Sequence, residues 1–482
     1  MSRPPASIAR IAKRVSRSAR WAFVESLASA GASAATVIVL ARYLGPADFG
    51  RAGIAVAVTG IVQAALLGGM PDALVRAPSV HTRLSDALFW STTAIGVATA
   101  LIAGVAALIV LATGDRLLAA LLAVQGLTGI ALGVAAAPTG LLLRKLRTRA
   151  LVQRTVIAKL AGLAAGVGAA AAGAGPWALI ASNLVMQGAA AVQLLATMRA
   201  PRLRIADPGL RETLKLGILG GAQGSLGTLT TRGFVIAYGA VYGPYQVGLF
   251  NFALRLVEET CGIVIQTLRR VTVTSFAAAK RAGLDLTPLF RRGTQSIAYV
   301  AAPLFLGVAS VAPDAIPLVF GRQWTGAVPA LQLMLALWVI RSTRMLVNAI
   351  MVVDGQQRRL ALFGLLGLAA TAAAFALSLP FGAGVTTLTF AATLSGVIFG
   401  GRAFSRATGI GPVAQLLAGA RPIIFALAMA VAVTALRLGP LAELSPMLRL
   451  LLSGTAGALV FAGLALTFDR RGIADVLKLA RR

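Results

Sequence analysis

Four arginines interrupt long apolar stretches of this sequence, and they are the residues best suited to bind an anion there. They are Arg232, Arg255, Arg341 and Arg344. A charge near the centre of a bilayer costs about 2.5–3.5 kcal/mol even on a lenient insertion scale, so each should face a wet cavity or a partner. Arg341 and Arg344 are three residues apart and share one face of a helix. Guanidinium groups bind phosphate through paired hydrogen bonds, so arginines that converge on a cavity suit a pyrophosphate.

Two adjacent carboxylates, Glu258 and Glu259, follow Arg255 by one helical turn. Neighbouring carboxylates in a medium of low dielectric rarely both ionise, so at least one of them is a candidate for proton uptake and proton coupling. The alternative is structural, because an ion pair between Arg255 and Glu258 would hold their helix in place. The same alternative, pairing with carboxylates, applies to the other buried arginines.

Catalytic constellations are missing from the sequence. His81 is the only histidine and Cys261 the only cysteine, so neither a metal site of the usual His/Cys type nor a histidine proton relay is predicted. The chain also lacks a nucleotide-binding P-loop. We therefore predict a protein that is not an enzyme, has no catalytic residues, and needs neither metal nor cofactor. Its energy source would be an ion gradient, the membrane potential or removal of product.

The composition indicates an integral membrane protein. Of 482 residues, 58% are hydrophobic and 12% are charged, and the mean hydropathy is +0.84. The formal net charge of +30 invites a nucleic-acid interpretation. The positive charges instead concentrate in short loops between apolar stretches, as the positive-inside rule expects, so no nucleic-acid partner is predicted.

Runs of about twenty apolar residues predict an all-α, polytopic fold with about 14 transmembrane helices. Their centres lie near Ser33, Gly60, Thr99, Ile130, Leu163, Gln187, Leu226, Gly262, Ala302, Ile340, Ala370, Thr393, Met429 and Thr455. Alternate loops are rich in arginine and lysine, whereas the opposite set is poor in them and includes Arg437 and Arg449. This asymmetry places both termini in the cytoplasm.

The two ends of the chain are basic. Within residues 1–20, basic side chains recur every three or four positions opposite an apolar face. This pattern predicts a cytoplasmic amphipathic helix that lies on an anionic leaflet, the alternative being a disordered basic tail. The last segment, residues 409–482, is predicted to hold two further spans and a basic cytoplasmic tail.

A break between apolar helices occurs twice, at Gly45-Pro46 and at Gly243-Pro244. Proline lacks an amide hydrogen and glycine tolerates unusual backbone angles, so each pair ends one helix and allows another to begin. The repetition predicts two pseudo-symmetric lobes. The polar connection at 199–215 separates them, giving an N-lobe over residues 21–200 and a C-lobe over 201–408.

Glycines recur in the first part of the C-lobe, at Gly217, Gly220, Gly221 and Gly224. Their spacing permits a close approach between helices, a bend or a hinge, and the sequence leaves these uses open.

Two patches carry a family resemblance: ARYLGPADFGRAGIAV followed by GGMPDALVR, within Ala41–Arg76, and APDAIPLVFGRQWTGAVPALQLM, Ala312–Met334. They resemble Wzx-type polysaccharide and O-antigen flippases of the multidrug/oligosaccharidyl-lipid/polysaccharide exporter superfamily. The resemblance implies two lobes around a central cavity, alternating access, and a polyprenyl-pyrophosphate-linked oligosaccharide as substrate. It also implies a bacterial inner membrane, membrane lipids as surroundings, and a polysaccharide polymerase and other assembly proteins as candidate partners.

Two other functions stay open at this point. A multidrug or cation antiporter of the same superfamily would share the fold but should carry acidic residues in its cavity, whereas the intramembrane charge here is mostly arginine. A membrane-embedded polysaccharide polymerase or ligase should carry a large outer loop with functional polar residues. This sequence has no such loop.

Overall fold

The computed structural model describes residues 29–473, except residues 30, 146, 205–206, 282–285, 396–404, 406–409 and 471. The described chain is helical and contains no strand, which confirms the all-α class. The amphipathic helix predicted within residues 1–20 and the basic tail after residue 473 lie outside these residues.

The chain divides into two compact units, Met1–Tyr245 and Gln246–Arg482. The first unit contains α1 (Gly31–Tyr43), α2 (Pro46–Leu67), α3 (Met70–Arg76), α4 (Thr82–Ala112), α5 (Arg116–Gly126), α6 (Thr128–Arg144), α7 (Thr148–Ala171) and α8 (Trp177–Ala196). Helix α9 (Leu210–Arg281) begins in the first unit and ends in the second. The division thus falls inside α9. The lobe boundaries expected from the sequence stay predictions.

The second unit continues with α10 (Thr287–Val319), α11 (Val328–Thr343), α12 (Met345–Val353), α13 (Gln357–Ser378), α14 (Gly382–Leu394), α15 (Pro412–Leu417), α16 (Ala420–Leu438) and α17 (Pro446–Phe468). Two short 3₁₀ helices, Arg322–Ala327 and Leu379–Phe381, precede α11 and α14. Helix α10 packs against α11, α16 and α17, and α14 packs against both α11 and α13.

Ten helical segments of the described chain are long and apolar enough to cross a membrane, so this is a multi-pass membrane protein. One of them, Arg358–Leu394, contains both α13 and α14, which turn at Gly382 with φ of 84° and pack on each other. The two halves of α9 occupy the positions predicted for spans seven and eight. The total of 14 spans stays a prediction.

Both predicted breaks are present. Gly45 is extended (φ −73°, ψ 162°) and Pro46 opens α2, where its missing amide hydrogen costs no helical bond. In α9 the only non-helical residue is Gly243, whose φ of 79° and ψ of 173° suit glycine alone, and Pro244 resumes the helix. In both places proline begins the next helix, whereas only Gly243 adopts backbone angles that favour glycine.

The start of α9 touches the backbone at the junction of α2 and α3. A Cβ atom added to Gly221 would lie 2.8 Å from the carbonyl oxygen of Ala65 and 3.0 Å from the amide nitrogen of Gly69. A Cβ added to Gly69 would lie 2.2 Å from the carbonyl oxygen of Gly217. Gly220, by contrast, has open space beside it. The glycine pattern thus serves close helix approach on one face of α9.

Polar side chains tie the helices of the first unit together. Lys159 in α7 donates to the carbonyl oxygen of Ser29 at 3.1 Å and to Oγ of Ser33 at 2.5 Å. The amide of Gln63 in α2 donates to Oγ1 of Thr128 in α6 at 2.9 Å. Satisfying these groups internally is required where no water is available, so the contacts fix the positions of the helices.

Arg144 has a structural use that its place in a basic loop does not indicate. Its guanidinium donates to the carbonyl oxygens of Leu74, Val75, Ala77 and Pro78. The first two carbonyls lie in the last turn of α3 and the other two directly follow it, where carbonyl oxygens lack partners within the helix. Arg144 therefore caps α3 from the end of α6.

The only histidine also holds a connection in place. Nε2 of His81, just before α4, lies 2.8 Å from Oδ2 of Asp207, just before α9. The pKa of Asp207 is lowered, first by the hydrogen bond from the backbone amide of Gly209 and then by His81. This contact joins the connection before α9 to the start of α4.

One carboxylate ties the Thr287 end of α10 to the chain after α17. Oδ2 of Asp469 accepts hydrogen bonds from the hydroxyl of Tyr299 at 2.8 Å and from the amide of Gln295 at 2.7 Å. Oδ1 accepts from the backbone amide of Gly472 at 3.1 Å, and Nη1 of Arg421 in α16 lies 3.8 Å from Oδ2. At this end, α10, α16 and α17 are thus held by a single buried side chain.

Candidate functional site

A break in the helix carries the two arginines that the sequence places in one span. Helix α11 ends at Thr343, Arg344 has φ of −103° and ψ of −2°, and α12 begins at Met345. The hydroxyls of Ser342 and Thr343 donate to the carbonyl oxygens three residues earlier, at 2.6 and 2.8 Å. Such back-bonding bends helices, which gives the break a local cause.

Arg341 is held by two partners that its own helix and a neighbouring one supply. Its Nη1 donates to the carbonyl oxygen of Leu394 at 2.9 Å, and its Cζ lies 5.0 Å from the centre of the Trp338 ring. Leu394 is the last residue of α14, where carbonyl oxygens lack helical partners and the helix dipole favours a cation. Arg341 therefore stabilises the end of α14, and one bond occupies only one of its five N–H donors.

Trp338 was not among the candidate residues from the sequence, although its spacing from Arg341 could have identified it. It precedes Arg341 by three residues, the spacing that puts two side chains on one helical face. A tryptophan ring attracts a guanidinium through its quadrupole, and burial of the ring (7% exposed) strengthens the effect.

Glu258 lies within electrostatic range of Arg341, as does the buried thiol of Cys261. Both belong to the second half of α9, so the structure brings this part of α9 to the break after α11. Glu258 is exposed, and Glu259 and Arg255 are partly buried. The predicted proton-coupling role of the two carboxylates, and the alternative ion pair with Arg255, stay predictions.

Aromatic packing holds α9 against the chain before α11 and against α14. The ring of Phe252 stacks on Trp324 at 4.1 Å and meets Phe320 edge-on at 5.0 Å. Phe250 meets Phe390 of α14 edge-on at 5.2 Å. Four of these rings are at most 1% exposed, so they form a rigid core that joins this part of α9 to the chain before α11 and to α14. Trp324 belongs to the second family-like patch of the sequence, which gives that patch a packing role.

The four arginines named from the sequence are divided between the two units. Arg255, Arg341 and Arg344 belong to the second unit and Arg232 to the first. Arg344 is 7% exposed, whereas Arg341, Arg255 and Arg232 are partly buried. Within the second unit, Arg341 and Glu258 are brought together.

Metal binding has no support in the part of the chain that the structure describes, where no group of three or more His, Cys, Asp or Glu side chains could hold an ion. The arrangement at the break is instead cationic. It offers guanidinium N–H donors in a mostly buried place, and such donors bind carboxylate or phosphate oxygens.

Three relatives and one family model match the sequence. The family model described as "Polysaccharide biosynthesis protein" matches residues 39–329. The succinoglycan biosynthesis transport protein ExoT of Rhizobium meliloti (strain 1021) is 27% identical over 98% of this chain and 96% of its own length. Other matches are shorter: TuaB of Bacillus subtilis (strain 168), a teichuronic acid biosynthesis protein, is 29% identical over 22% of each chain. The match to the amylovoran biosynthesis protein AmsL of Erwinia amylovora covers 37% of that relative.

Two solved structures share the fold. The lipid II flippase MurJ in an inward closed conformation has a TM-score of 0.76, with 10% identity over 95% of this chain and 99% of MurJ. An inward-facing multidrug resistance transporter of the MATE family, from the MOP superfamily, has a TM-score of 0.60 and 14% identity over 79% of this chain and 95% of its own. The fold is therefore that of MurJ and MATE transporters, as the resemblance implied.

Proposed function

This chain belongs to the polysaccharide biosynthesis protein family, and we propose that it is a flippase for polyprenyl-pyrophosphate-linked oligosaccharide repeat units. It moves them across the bacterial inner membrane by alternating access, with both termini in the cytoplasm, for synthesis of an O-antigen, a capsule or an exopolysaccharide. The substrate leaves chemically unchanged, so no enzyme activity and no cofactor are required. A polysaccharide polymerase and other assembly proteins are its proposed partners.

The single observation that carries the proposal is the arginine pair at the break between α11 and α12. A pyrophosphate crossing a bilayer must exchange its hydration for protein donors, and guanidinium groups supply paired donors and positive charge. The backbone is satisfied through this turn, since the amide of Arg344 donates to the carbonyl oxygen of Arg341 and the amide of Val347 to that of Arg344, both at 3.1 Å. Interruptions of membrane helices are places where transporters commonly form substrate sites.

Each arginine has its own proposed task. Arg341 is anchored by Leu394 and Trp338 and presents its remaining donors from a fixed position, so little side-chain entropy is lost when it binds the pyrophosphate. Arg344 adds a second, deeply buried guanidinium three residues further on. Arg255 and Arg232 are proposed as further ligands of the pyrophosphate. Glu258 or Glu259 couples transport to a proton gradient in this scheme.

The charge of the site distinguishes the proposed flippase from the antiporter alternative. A site for an organic cation should be acidic, whereas the described break holds two arginines, and Glu258, the carboxylate within electrostatic range of Arg341, is exposed. ExoT, similar over almost its full length, also bears a name from polysaccharide transport. These observations favour an anionic, sugar-linked substrate.

The test is transport by purified protein in vesicles. A polyprenyl-pyrophosphate-linked oligosaccharide is incorporated, and a membrane-impermeant lectin measures how fast the sugar reaches the opposite leaflet. We expect protein-dependent movement that is lost in the double variant R341A/R344A and kept in R322A, which removes an exposed arginine before α11. Flipping equal to that of protein-free vesicles, together with export of a cationic dye, would show the antiporter instead.

A further inference from the structure

A second cationic cluster lies at the Val319 end of α10, away from the arginine pair in sequence. It consists of Asp314 in α10, Arg437 in the last turn of α16 and Arg449 in the first turn of α17, and we call it the Asp314 cluster. Nη1 of Arg437 lies 3.6 Å from Oδ2 of Asp314, and Nε of Arg449 lies 3.4 Å from Oδ1. The sequence treats both arginines as loop charges. The structure makes them mostly buried, with 13% and 22% of their side chains exposed.

The charges of this cluster do not balance. One carboxylate faces two guanidinium groups, which leaves one positive charge in excess. A buried charge without compensation costs several kcal/mol, so structures rarely retain one. The excess charge therefore predicts a missing anionic partner.

The hydrogen-bond donors of the cluster are also unused. Two guanidinium groups carry ten N–H donors. In the described chain Arg437 donates no hydrogen bond, and Arg449 donates one, to the carbonyl oxygen of Ala442 at 3.3 Å. Nε of both arginines is buried without a hydrogen-bond partner. The acceptor Oδ2 of Asp314 also lacks a hydrogen bond, but it faces Arg437 at 3.6 Å. Buried donors of charged groups are normally satisfied, so the unused N–H donors of the two arginines point to a ligand with several acceptor oxygens.

The surroundings place this ligand at the edge of the bilayer. The cluster lies where α10 nears its end and where α16 turns into α17, and both α16 and α17 qualify as membrane spans. Large apolar side chains beside the two arginines are exposed, as acyl chains require: Leu438 at 69%, Met447 at 56% and Leu448 at 50%. A phospholipid whose headgroup phosphate binds the cluster can therefore keep its acyl chains in the membrane.

We propose that the Asp314 cluster binds a phosphate group through Arg437 and Arg449, most directly the headgroup phosphate of an anionic phospholipid. The excess positive charge selects an anion, and the paired N–H donors of guanidinium match phosphate oxygens. Asp314 holds the two arginines at the ends of α16 and α17 and limits the net charge to one. The inference does not rest on the proposed flippase activity.

The experiment measures lipid and phosphate binding by the full chain. Purified protein is exposed to phosphatidylglycerol or phosphatidylcholine, and native mass spectrometry counts the retained lipids. In detergent, the thermal unfolding midpoint is followed against inorganic phosphate, with chloride at matched ionic strength. The variants are R437Q, R449Q, D314N and, as control, R322Q, whose arginine is exposed in the 3₁₀ helix that follows α10.

We expect R437Q and R449Q each to weaken retention of phosphatidylglycerol about tenfold, the loss of a charge-assisted contact, and R322Q to leave it unchanged. D314N removes the negative charge but keeps a side-chain oxygen that can hold the two arginines, so it should bind at least as tightly as the native chain. A purely structural ion cluster predicts the reverse, equal losses in D314N and the arginine variants, and that result would overturn the proposal. Loss of the phosphate effect in R437Q and R449Q without any change in lipid retention would assign the site to free phosphate.

A further variant, R437K, tests the proposal where R437Q or R449Q folds poorly. R437K keeps the charge but not the paired donors, and should retain the fold with intermediate phosphatidylglycerol binding. Native-like retention in a folded R437Q/R449Q double variant would also overturn the proposal.

Discussion

The guanidinium of Arg341 donates a hydrogen bond to the carbonyl oxygen of Leu394, 2.9 Å away, across 53 residues of sequence. This bond connects the break after α11 to the end of α14. It means that a residue proposed to bind substrate also stabilises the fold, so the two roles must be separated by measuring transport and stability independently.

Replacing Arg341 tests that separation. Arg341→Lys keeps a cation at the end of α14, where it contributes about 0.3–1 kcal/mol, and should unfold at nearly the native temperature. It should nevertheless transport more slowly, since an ammonium group lacks the paired geometry that phosphate favours.

Arg341→Ala and Arg344→Ala should each reduce transport tenfold to a hundredfold, for about 1.5–3 kcal/mol per lost charge-assisted contact. Complementation of a flippase-deficient strain at matched membrane levels measures this. Full activity of the double Ala variant would contradict the pyrophosphate role.

The carboxylates of α9 give a second prediction, on pH dependence. If Glu258 or Glu259 carries the coupling proton, E258Q or E259Q should insert normally yet lose the dependence of transport on an imposed pH gradient, because the amide cannot titrate. E443Q is the matched control, since Glu443 is an exposed glutamate in the turn between α16 and α17. An unchanged gradient response in E258Q/E259Q would leave these side chains with a structural role.

Gly221 and Gly220 form a matched pair for testing the packing of α9. Gly221→Ala places a methyl group 2.8 Å from the carbonyl oxygen of Ala65, so backbone must shift, and overpacking of this kind costs about 1–3 kcal/mol. Gly220→Ala meets open space and should be neutral or slightly stabilising. We expect the unfolding midpoint of G221A alone to fall by a few degrees. Equal midpoints in both variants would show that this face of α9 is not tightly packed.

A disulfide can test whether α16 moves with α10 during transport. A Cβ added to Gly419 lies 3.2 Å from Cβ of Ala298, close to the separation of about 3.5–4.5 Å in disulfides. Because Asp469 and Asp314 each contact both α10 and the α16–α17 pair, we expect A298C/G419C, with Cys261 replaced by serine, to cross-link and still transport. The single-cysteine variants are its controls. Activity that returns only after reduction would show that the two helices separate in the cycle.

Reporter fusions test the proposed orientation. Fusions after Gly45, Gly175, Gly243 and Gly321 should report the periplasm, and those after Arg147, Arg204 and Arg281 the cytoplasm. The physical reason is the clustering of arginine and lysine in alternate loops. A cytoplasmic signal after Gly243 would reverse half of the spans and refute the topology.

The sequence by itself determined the class of this protein. Long apolar runs leave no other way to satisfy the backbone in lipid than helices, and Gly-Pro pairs end helices wherever they stand, so the breaks at Gly45 and Gly243 were predictable. An arginine within such a run has a high free-energy cost of insertion into the membrane, which makes it a candidate for a functional role. For these features the physics is local, and spacing alone carries the information.

Only the tertiary structure decided which partners those residues meet. The sequence around Arg341 does not predict its hydrogen bond to the carbonyl oxygen of Leu394, because the end of any helix offers the same backbone acceptor. Spacing makes Gly220 and Gly221 equivalent, and only packing against the α2–α3 junction separates them. Arg437 and Arg449 read as loop charges until α10 brings Asp314 between them. Burial and long-range pairing of side chains depend on how the helices assemble. Neither the charges of the loops nor the periodicity of the helices predicts them.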